Sequence, residues 1–249
     1  MVDGRIIFID YDSKATPVRQ GGLVYRLKFF FKKFPQLFYL LAYIFGAPPV
    51  NKSVDKFIAS LGKEERTIIN IGSGSKIINK KIINIDRYPY KGVFMVALAE
   101  SLPFIDNSID VVICDYVLEH VKNPKIIVDE IYRVLKPGGL VYVGLPFIIS
   151  YHSAPGDYFR WTKNGIQELL KSFEEVELKP AYGPTSAMIN ILGEWFSIFL
   201  SFNIKLLYQI WNIIFMVILS PFKVLDFFIS NYQPAQNIAY GFYFIGKKK

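Results

Sequence analysis

Apolar residues in this chain come as short unbroken runs separated by turn-forming and charged residues. Ile68-Ile69-Asn70-Ile71, Ile82-Ile83-Asn84-Ile85, Val111-Val112-Ile113-Cys114 and Leu140-Val141-Tyr142-Val143 are the clearest. A strand covered on both faces, as in a parallel sheet, reads as a continuous apolar run. The runs predict strands over 67–71, 81–85, 92–97, 109–114 and 140–145. Helical signals fall between and around them. Asn123-Pro124 offers an N-cap with proline at the first helical position; Ile127, Ile131, Val134 and Leu135 follow at helical spacing, and Lys136-Pro137-Gly138-Gly139 ends the pattern. Ser53 and Thr162 are placed to cap shorter helices over 53–61 and 162–171. Alternation of this kind predicts an α/β fold with a mostly parallel sheet.

Two regions depart from the alternation. From Met188 to Tyr232 only Glu194, Lys205, Lys223 and Asp226 carry charge. The uncharged stretch between Lys205 and Lys223 approaches the roughly 20 apolar residues that cross a bilayer, but Gln209, Asn212 and Ser220-Pro221 interrupt it. An interfacial helical hairpin is the leading reading; a helix pair capping a substrate and a membrane span are the others. Ile238 to Ile245 then alternates like a strand. Near the N-terminus no acidic residue stands between Asp12 and Asp55. Lys14, Arg19, Arg26, Lys28, Lys32, Lys33 and Lys52 do, interleaved with Phe29, Phe30, Phe31, Phe34, Phe38, Tyr39 and Tyr43. Basic and aromatic residues together suit nucleic acid or an anionic membrane surface. The run from Leu37 to Phe45 is too apolar for a solvated arm and too short to span, which leaves membrane contact or a packed lid.

The expected organisation is a basic-aromatic segment over 1–62, an α/β core over 63–186, an apolar helical insertion over 187–236, and a final strand with a basic tail over 237–249. Composition agrees: 52% hydrophobic and 16% aromatic residues exceed what one α/β core needs. Formal charge is +8, from 29 basic and 21 acidic residues. The single cysteine, Cys114, cannot form an intrachain disulfide, so nothing requires an oxidising compartment. With no cleavable leader apparent, a cytoplasmic location is expected, with peripheral contact at the inner face of a membrane as the further option.

Chemistry concentrates at the strand ends. Gly72-Ser73-Gly74 closes the first core run, and Asp86 closes the second. Glycines there let the backbone turn sharply and approach a ligand, and an acid at the end of the second strand is placed to accept hydrogen bonds from a ribose diol. Between Gly74 and Asp86 there is little room for a crossover helix, so the link is predicted to be a single turn or a loop. A nicotinamide dinucleotide fingerprint needs a third glycine, and Ile77 stands there.

Further residues narrow the class. Ala99-Glu100-Ser101-Leu102-Pro103-Phe104, the strand Asp110-Val111-Val112, Leu118-Glu119-His120-Val121 and Arg133-Val134-Leu135-Lys136-Pro137-Gly138-Gly139 follow in order. In these motifs the chain resembles the class I S-adenosylmethionine-dependent methyltransferases, in the small-molecule branch called type 11, over roughly residues 66 to 186 and again near the C-terminus. The resemblance implies a Rossmann-like, seven-stranded, mostly parallel sheet flanked by helices, with residues 187–236 inserted ahead of an antiparallel last strand. It implies S-adenosylmethionine as cofactor and a small-molecule or lipid-linked acceptor, methylated at oxygen or nitrogen. Nucleic acid is not expected: Cys114-Asp115-Tyr116 stands where base-amino methylases carry an Asn/Asp-Pro-Pro-Tyr/Phe tetrapeptide.

By the same resemblance Gly72, Ser73 and Gly74 lie under the donor's amino acid head group, with Asn70 where an acid is common. Asp86 takes the ribose hydroxyls, Arg87 flanks the adenine, Ala99 and Glu100 follow its edge, and Asp115 and Tyr116 face the methionine portion. Leu98 replaces an acid that often meets the adenine amino group, and Ser75 a frequent third glycine. These departures keep a second class open, a non-catalytic membrane-associated adaptor with a vestigial donor pocket.

Methyl transfer to oxygen or nitrogen needs alignment, a desolvated site and a base. His152 is the leading catalytic residue, because it follows the fifth strand in a loop that should roof the acceptor. Asp157 would orient it, and Tyr158, Arg160 and Trp161 would supply a hydrogen bond, an anion clamp and a stacking face. The competing reading is a loop folded by its own Asp–Arg and Tyr contacts. His120 is a second catalytic candidate, with a loop-holding role as its alternative. No metal-ligand cluster is expected from the sequence.

Overall fold

The computed structural model describes residues 5–9, 34, 46–74, 78–79, 81–152 and 156–249. The basic-aromatic run over 10–45 therefore lies almost wholly outside the described residues.

Among the described residues eight strands form one sheet: β1 (Ile6–Ile7), β2 (Ile68–Ile71), β3 (Ile83–Asp86), β4 (Met95–Val96), β5 (Ile109–Asp115), β6 (Leu135–Pro146), β7 (Phe173–Tyr182) and β8 (Gly241–Lys248). Their order across the sheet is β1-β4-β3-β2-β5-β6-β8-β7. The pairs from β1 to β6 are parallel, and β8 inserts antiparallel between β6 and β7. This is the expected mostly parallel architecture with an antiparallel strand late in the chain. The two-residue β1 adds an eighth strand at one edge.

Helices cover both faces: α1 (Val54–Ser60), α2 (Pro124–Val134), α3 (Lys163–Leu169), α4 (Pro184–Ser201), α5 (Lys205–Leu219) and α6 (Asp226–Ile229). Side chains alternate across a strand, so each central strand feeds two cores. Val112 and Cys114 of β5, Val141 and Val143 of β6, and Phe242 and Phe244 of β8 pack with Ile127 and Ile131 of α2 and Ile166 of α3. Val111, Ile113, Tyr142, Tyr243 and Ile245 face the other way, onto Val54 and Phe57 of α1.

The caps read from sequence form as expected at α1 and α3. Ser53 accepts from the Lys56 amide and Thr162 from the Gly165 amide. Asn123 makes no side-chain cap, leaving Pro124 as the start signal of α2. That helix runs into β6 at Leu135 without a loop, short of the Pro-Gly-Gly stop. Lys248 Nζ donates to the carbonyls of Tyr132 (2.6 Å) and Leu135 (2.8 Å), which satisfies acceptors freed by the abrupt change. Among the described residues between β2 and β3 there is no helix, as the spacing required.

Besides the two-residue β1, one strand escaped the sequence reading. β7, Phe173-Glu-Glu-Val-Glu-Leu-Lys-Pro-Ala-Tyr182, carries four charges and a proline because it is an edge strand.

Arg133 fastens the approach to β5, at the end of the sheet opposite Gly72 and Asp86. Its guanidinium donates to the Leu102 and Phe104 carbonyls and to Glu130 and Asp106, and Glu130 accepts the Leu102 amide at 2.6 Å. The Leu102-Pro103-Phe104 turn is thus tied to α2. Replacing the guanidinium with an apolar chain, Arg133→Met, should cost roughly 1–3 kcal/mol at neutral pH. The Arg133 hydrogen bond holds the Glu130 carboxyl below its usual range. Its stabilising contribution is present above the unfolded pKa, about 4.3, and is lost as pH falls through the lower folded value. The wild-type advantage in thermal melts should therefore shrink below about pH 4; a pH-independent gap would remove Glu130 from the account.

Candidate active site

The strand ends are level. Ile71 pairs with Ile85 on one side and with Cys114 on the other, so residues 72, 86 and 115 emerge at one edge of the sheet. A cavity of about 290 Å³ opens there. Open parallel sheets bind ligands at this edge. Gly72, Gly74, Asp86, Arg87, Ala99, Glu100, Tyr116 and His120 line it, and among its other walls are Tyr88, Tyr90 and Leu98.

Gly72 and Gly74 take φ of +64° and +56°, the left-handed region that glycine enters without strain. A Cβ on Gly72 would lie 2.5 Å from Val117 Cγ2, whereas one on Gly74 would meet nothing within 4 Å. The turn is held by Asp86. Its Oδ2 accepts the Gly74 amide at 2.8 Å and its Oδ1 the Tyr88 amide at 2.9 Å, while the Ser73 amide donates to Ile85 O. Burial pushes the Asp86 carboxyl up, and the bonds from Tyr88 and Gly74 oppose that. Each oxygen keeps a lone pair for a ligand.

The remaining donor-site residues divide. Ala99 and Glu100 sit in a turn closed by a Leu98–Ser101 bridge. Arg87 lies over the Tyr88 ring, 5.4 Å from its centre. Tyr116 adopts φ +57°, costly for a bulky residue, and its hydroxyl is buried with no hydrogen-bond partner. Ser73 is buried behind the turn, its hydroxyl also without a partner. Asp115 lies against Gly144, where a Cβ would sit 2.1 Å from Oδ1, and does not line the cavity. Asn70 is turned away: its amide donates to Asn84 Oδ1 at 3.1 Å, in the layer beneath the cavity. Residues on β2 alternate faces, so Ile71 lines the cavity and its neighbour Asn70 does not.

Beside the cavity the 3-10 turn Leu118–His120 meets the loop after β6. The Tyr158 amide donates to Glu119 O at 2.8 Å, and His120 Nδ1 bonds the Gly156 carbonyl. His120 and His152 meet edge to face, ring centres 5.3 Å apart. Both present Nε2 to Glu119 Oε1, each at 3.9 Å. Glu119 is fully buried, neither carboxylate oxygen has a hydrogen-bond partner, and burial pushes its carboxyl up to about 8. Burial also lowers the His152 imidazole, against the pull of Asp157.

Asp157 does approach His152, with Oδ2 3.6 Å from Nδ1 and accepting the His152 amide at 2.9 Å. Its main partner is Arg160, whose NH2 donates to Oδ2 at 2.6 Å. Arg160 also bonds the Ile149, Ser150 and Phe159 carbonyls, so the expected anion clamp is committed to the loop itself. Trp161 is corrected likewise: it is buried and stacks on Phe159, offering no open face. Tyr158 alone of the three stays half-exposed. Glu119 is the residue that sequence reasoning missed. It stood inside the quoted Leu-Glu-His motif, but nothing in the motif signals its burial.

Residues 71–143 match the family model described as "Methyltransferase domain". The match covers less than a third of the 249-residue chain. Short stretches carry the curated likenesses: 46% identity over 50 residues to the thiol S-methyltransferase TMT1B of Rattus norvegicus, and the same over 50 residues of an uncharacterized methyltransferase of Mycobacterium tuberculosis. Each match covers about 20% of this chain and of the relative, so the chain spans about a fifth of the length of the curated relatives it matches. Two solved structures share the fold over most of their length. One is the [4+2]-cyclase SpnF (TM-score 0.51, 13% identity, 89% of this chain and 95% of that one). The other is a SAM-dependent methyltransferase, possible histamine N-methyltransferase, from Thermotoga maritima (0.50, 17%, 88% and 98%).

The cavity fits an adenosyl-sulfonium donor in its own geometry. A glycine turn and the buried carboxylate that holds it lie side by side in the wall of a cavity of nucleoside scale. Gly72→Ala should therefore cost about 1–3 kcal/mol of stability through the strained φ. It should also weaken binding of S-adenosylhomocysteine at least tenfold by calorimetry, and adding Val117→Ala should recover part of both losses. Wild-type affinity in the single variant would exclude the turn from the binding face.

Proposed function

We propose that this protein is an S-adenosylmethionine-dependent methyltransferase acting on a small-molecule or lipid-linked acceptor, through oxygen or nitrogen, at a membrane surface. One observation carries the reading. The cavity walls Gly72, Gly74, Asp86, Ala99 and His120 all lie inside the segment that matches the methyltransferase model. The fold alone would not suffice, because one fold serves many chemistries and one neighbour is a cyclase.

In this reading the bound donor supplies an electrophilic methyl group on its sulfonium. The backbone at Gly72–Gly74 carries the amino acid end, Asp86 the ribose diol, Arg87 and Ala99–Glu100 the adenine, and Tyr116 the methionine portion. Asp115 supports Tyr116 from behind. Glu119, His120 and His152, beside the cavity, act on the acceptor's proton, and Asp157 with Arg160 fixes the loop that delivers His152. Calorimetry with donor and demethylated product tests the first half: two isotherms support the enzyme, and silence with both favours the adaptor with a vestigial pocket, to which the turned-away Asn70 amide points. His152→Ala tests the second half. Affinity for the product should stay within about twofold while turnover falls at least tenfold, since a positioned acid–base group contributes about 10²–10⁴.

The membrane clause rests on α4 to α6. Trp195, Ile198, Phe199, Phe202, Phe222 and Phe228 are exposed. The helical stretch Lys205–Ile229 is long and apolar enough to cross a membrane, and almost none of it is buried. Core helices of that composition are buried, and the exposure of this face supports contact with an apolar surface. The net charge of +8 favours an anionic lipid surface. The protein should co-sediment with phosphatidylserine vesicles and be released by alkaline carbonate. Phe199→Glu with Phe228→Glu should at least halve the bound fraction. Absence of binding at both low and high salt would overturn the membrane clause, and resistance to carbonate would replace surface contact with a span.

A further inference from the structure

Glu119, His120 and His152 offer three ligand atoms within 4.8 Å of one another, with no ion present. Three features separate this cluster from a chance meeting of polar side chains. The first is the carboxylate. Glu119 is 0% exposed, and both its oxygens lack a hydrogen-bond partner. Leaving such a group buried without a partner is strongly unfavourable unless something compensates it.

The second is the tautomer of each imidazole. His120 Nδ1 meets a carbonyl, Gly156 O, which can only accept, so Nδ1 carries the proton and Nε2 the lone pair. Around His152, the two hydrogens of Arg160 NH2 go to Asp157 Oδ2 at 2.6 Å and Ser150 O at 3.1 Å. His152 Nδ1 stands 3.4 Å from that nitrogen and 3.6 Å from Asp157 Oδ2, and the nearby carboxylate favours the tautomer with the proton on Nδ1. Its Nε2 lone pair then points toward Glu119 as well. Ligating histidines are held in this way, with the far nitrogen donating to a carbonyl or a carboxylate.

The third is convergence. Both Nε2 atoms stand 3.9 Å from the same Glu119 oxygen. Ligands on a tetrahedral zinc ion with bonds of about 2.0–2.1 Å lie about 3.4 Å apart, so closing on an ion from spacings within 4.8 Å takes side-chain shifts of up to roughly an ångström.

We propose that Glu119, His120 and His152 bind a divalent transition-metal ion, with a coordination position left open beside the donor cavity that His120 lines. Two histidines and one carboxylate with an open position is a ligand set suited to zinc or ferrous iron. Resting on the methyltransferase reading, the ion's role would be to hold the acceptor's nucleophilic atom, which loses its proton to solvent on coordination; the two imidazoles then serve as ligands. Metal binding itself stands without that reading.

Protein freed of metal with a chelator and dialysed should take up one Zn²⁺ per chain in calorimetry, with micromolar or tighter affinity. Glu119→Gln and His152→Ala should each weaken this at least 30-fold, with circular dichroism unchanged. Co²⁺ should give the visible absorption of a four-coordinate site in the wild type and lose it in both variants. No uptake by the wild type, or uptake unchanged in His152→Ala, overturns the proposal; if Glu119→Gln does not fold, His152→Ala decides alone. S-adenosylhomocysteine binding is measured on the same samples. Zinc without product binding keeps the metal site and sinks the methyltransferase reading, and product binding without zinc does the reverse.

Discussion

The buried carboxylate of Asp86 joins two things that would otherwise be independent, the end of β3 and the glycine turn after β2. One oxygen takes the Gly74 amide and the other the Tyr88 amide. A turn with two residues at positive φ is fixed by this side chain together with the Ser73 amide, which donates to Ile85 O. The cavity floor depends on that one side chain. So does its polarity, since the same oxygens keep lone pairs directed at the space a ligand would fill.

A second constraint acts on the opposite wall. The Leu118–His120 turn and the loop after β6 are sewn together by main-chain and imidazole bonds, Tyr158 N to Glu119 O and His120 Nδ1 to Gly156 O. Arg160 completes the seam from within the loop. This rigidity brings Glu119 and two histidines into one small volume. Sequence separation hides the meeting, since His152 lies 32 positions beyond His120.

Much of the fold was legible because burial on both faces leaves a signature in single strands. β2, β3, β5 and the core of β6 appear as apolar runs, and α3 begins at the threonine that caps it. β7 was illegible for the opposite reason: an edge strand exposes half its residues and avoids an apolar stripe. At the site, glycines and an acid at strand ends could be read, because their placement follows from chain direction. Side-chain commitments could not. Arg160 and Trp161 have the chemistry of substrate ligands, yet tertiary contacts assign one to a loop clamp and the other to the core. Asn70 was lost to a parity rule, and Glu119 was passed over because a charged residue gives no hint in sequence that it is fully enclosed.

Asp226 is also fully buried, and its oxygens accept the Thr185 and Ser186 amides at the start of α4, with the Ser186 hydroxyl added. A side chain some 40 positions downstream thus closes the base of the α4–α5 hairpin. Farther along α4, Asn190 Oδ1 accepts the Ser150 amide at 2.7 Å, two residues before His152. The hairpin is therefore joined to the loop that carries His152 at one point and to Asp226 at another. Pressure on its apolar tip would reach His152 as a torque about the Asp226 pivot.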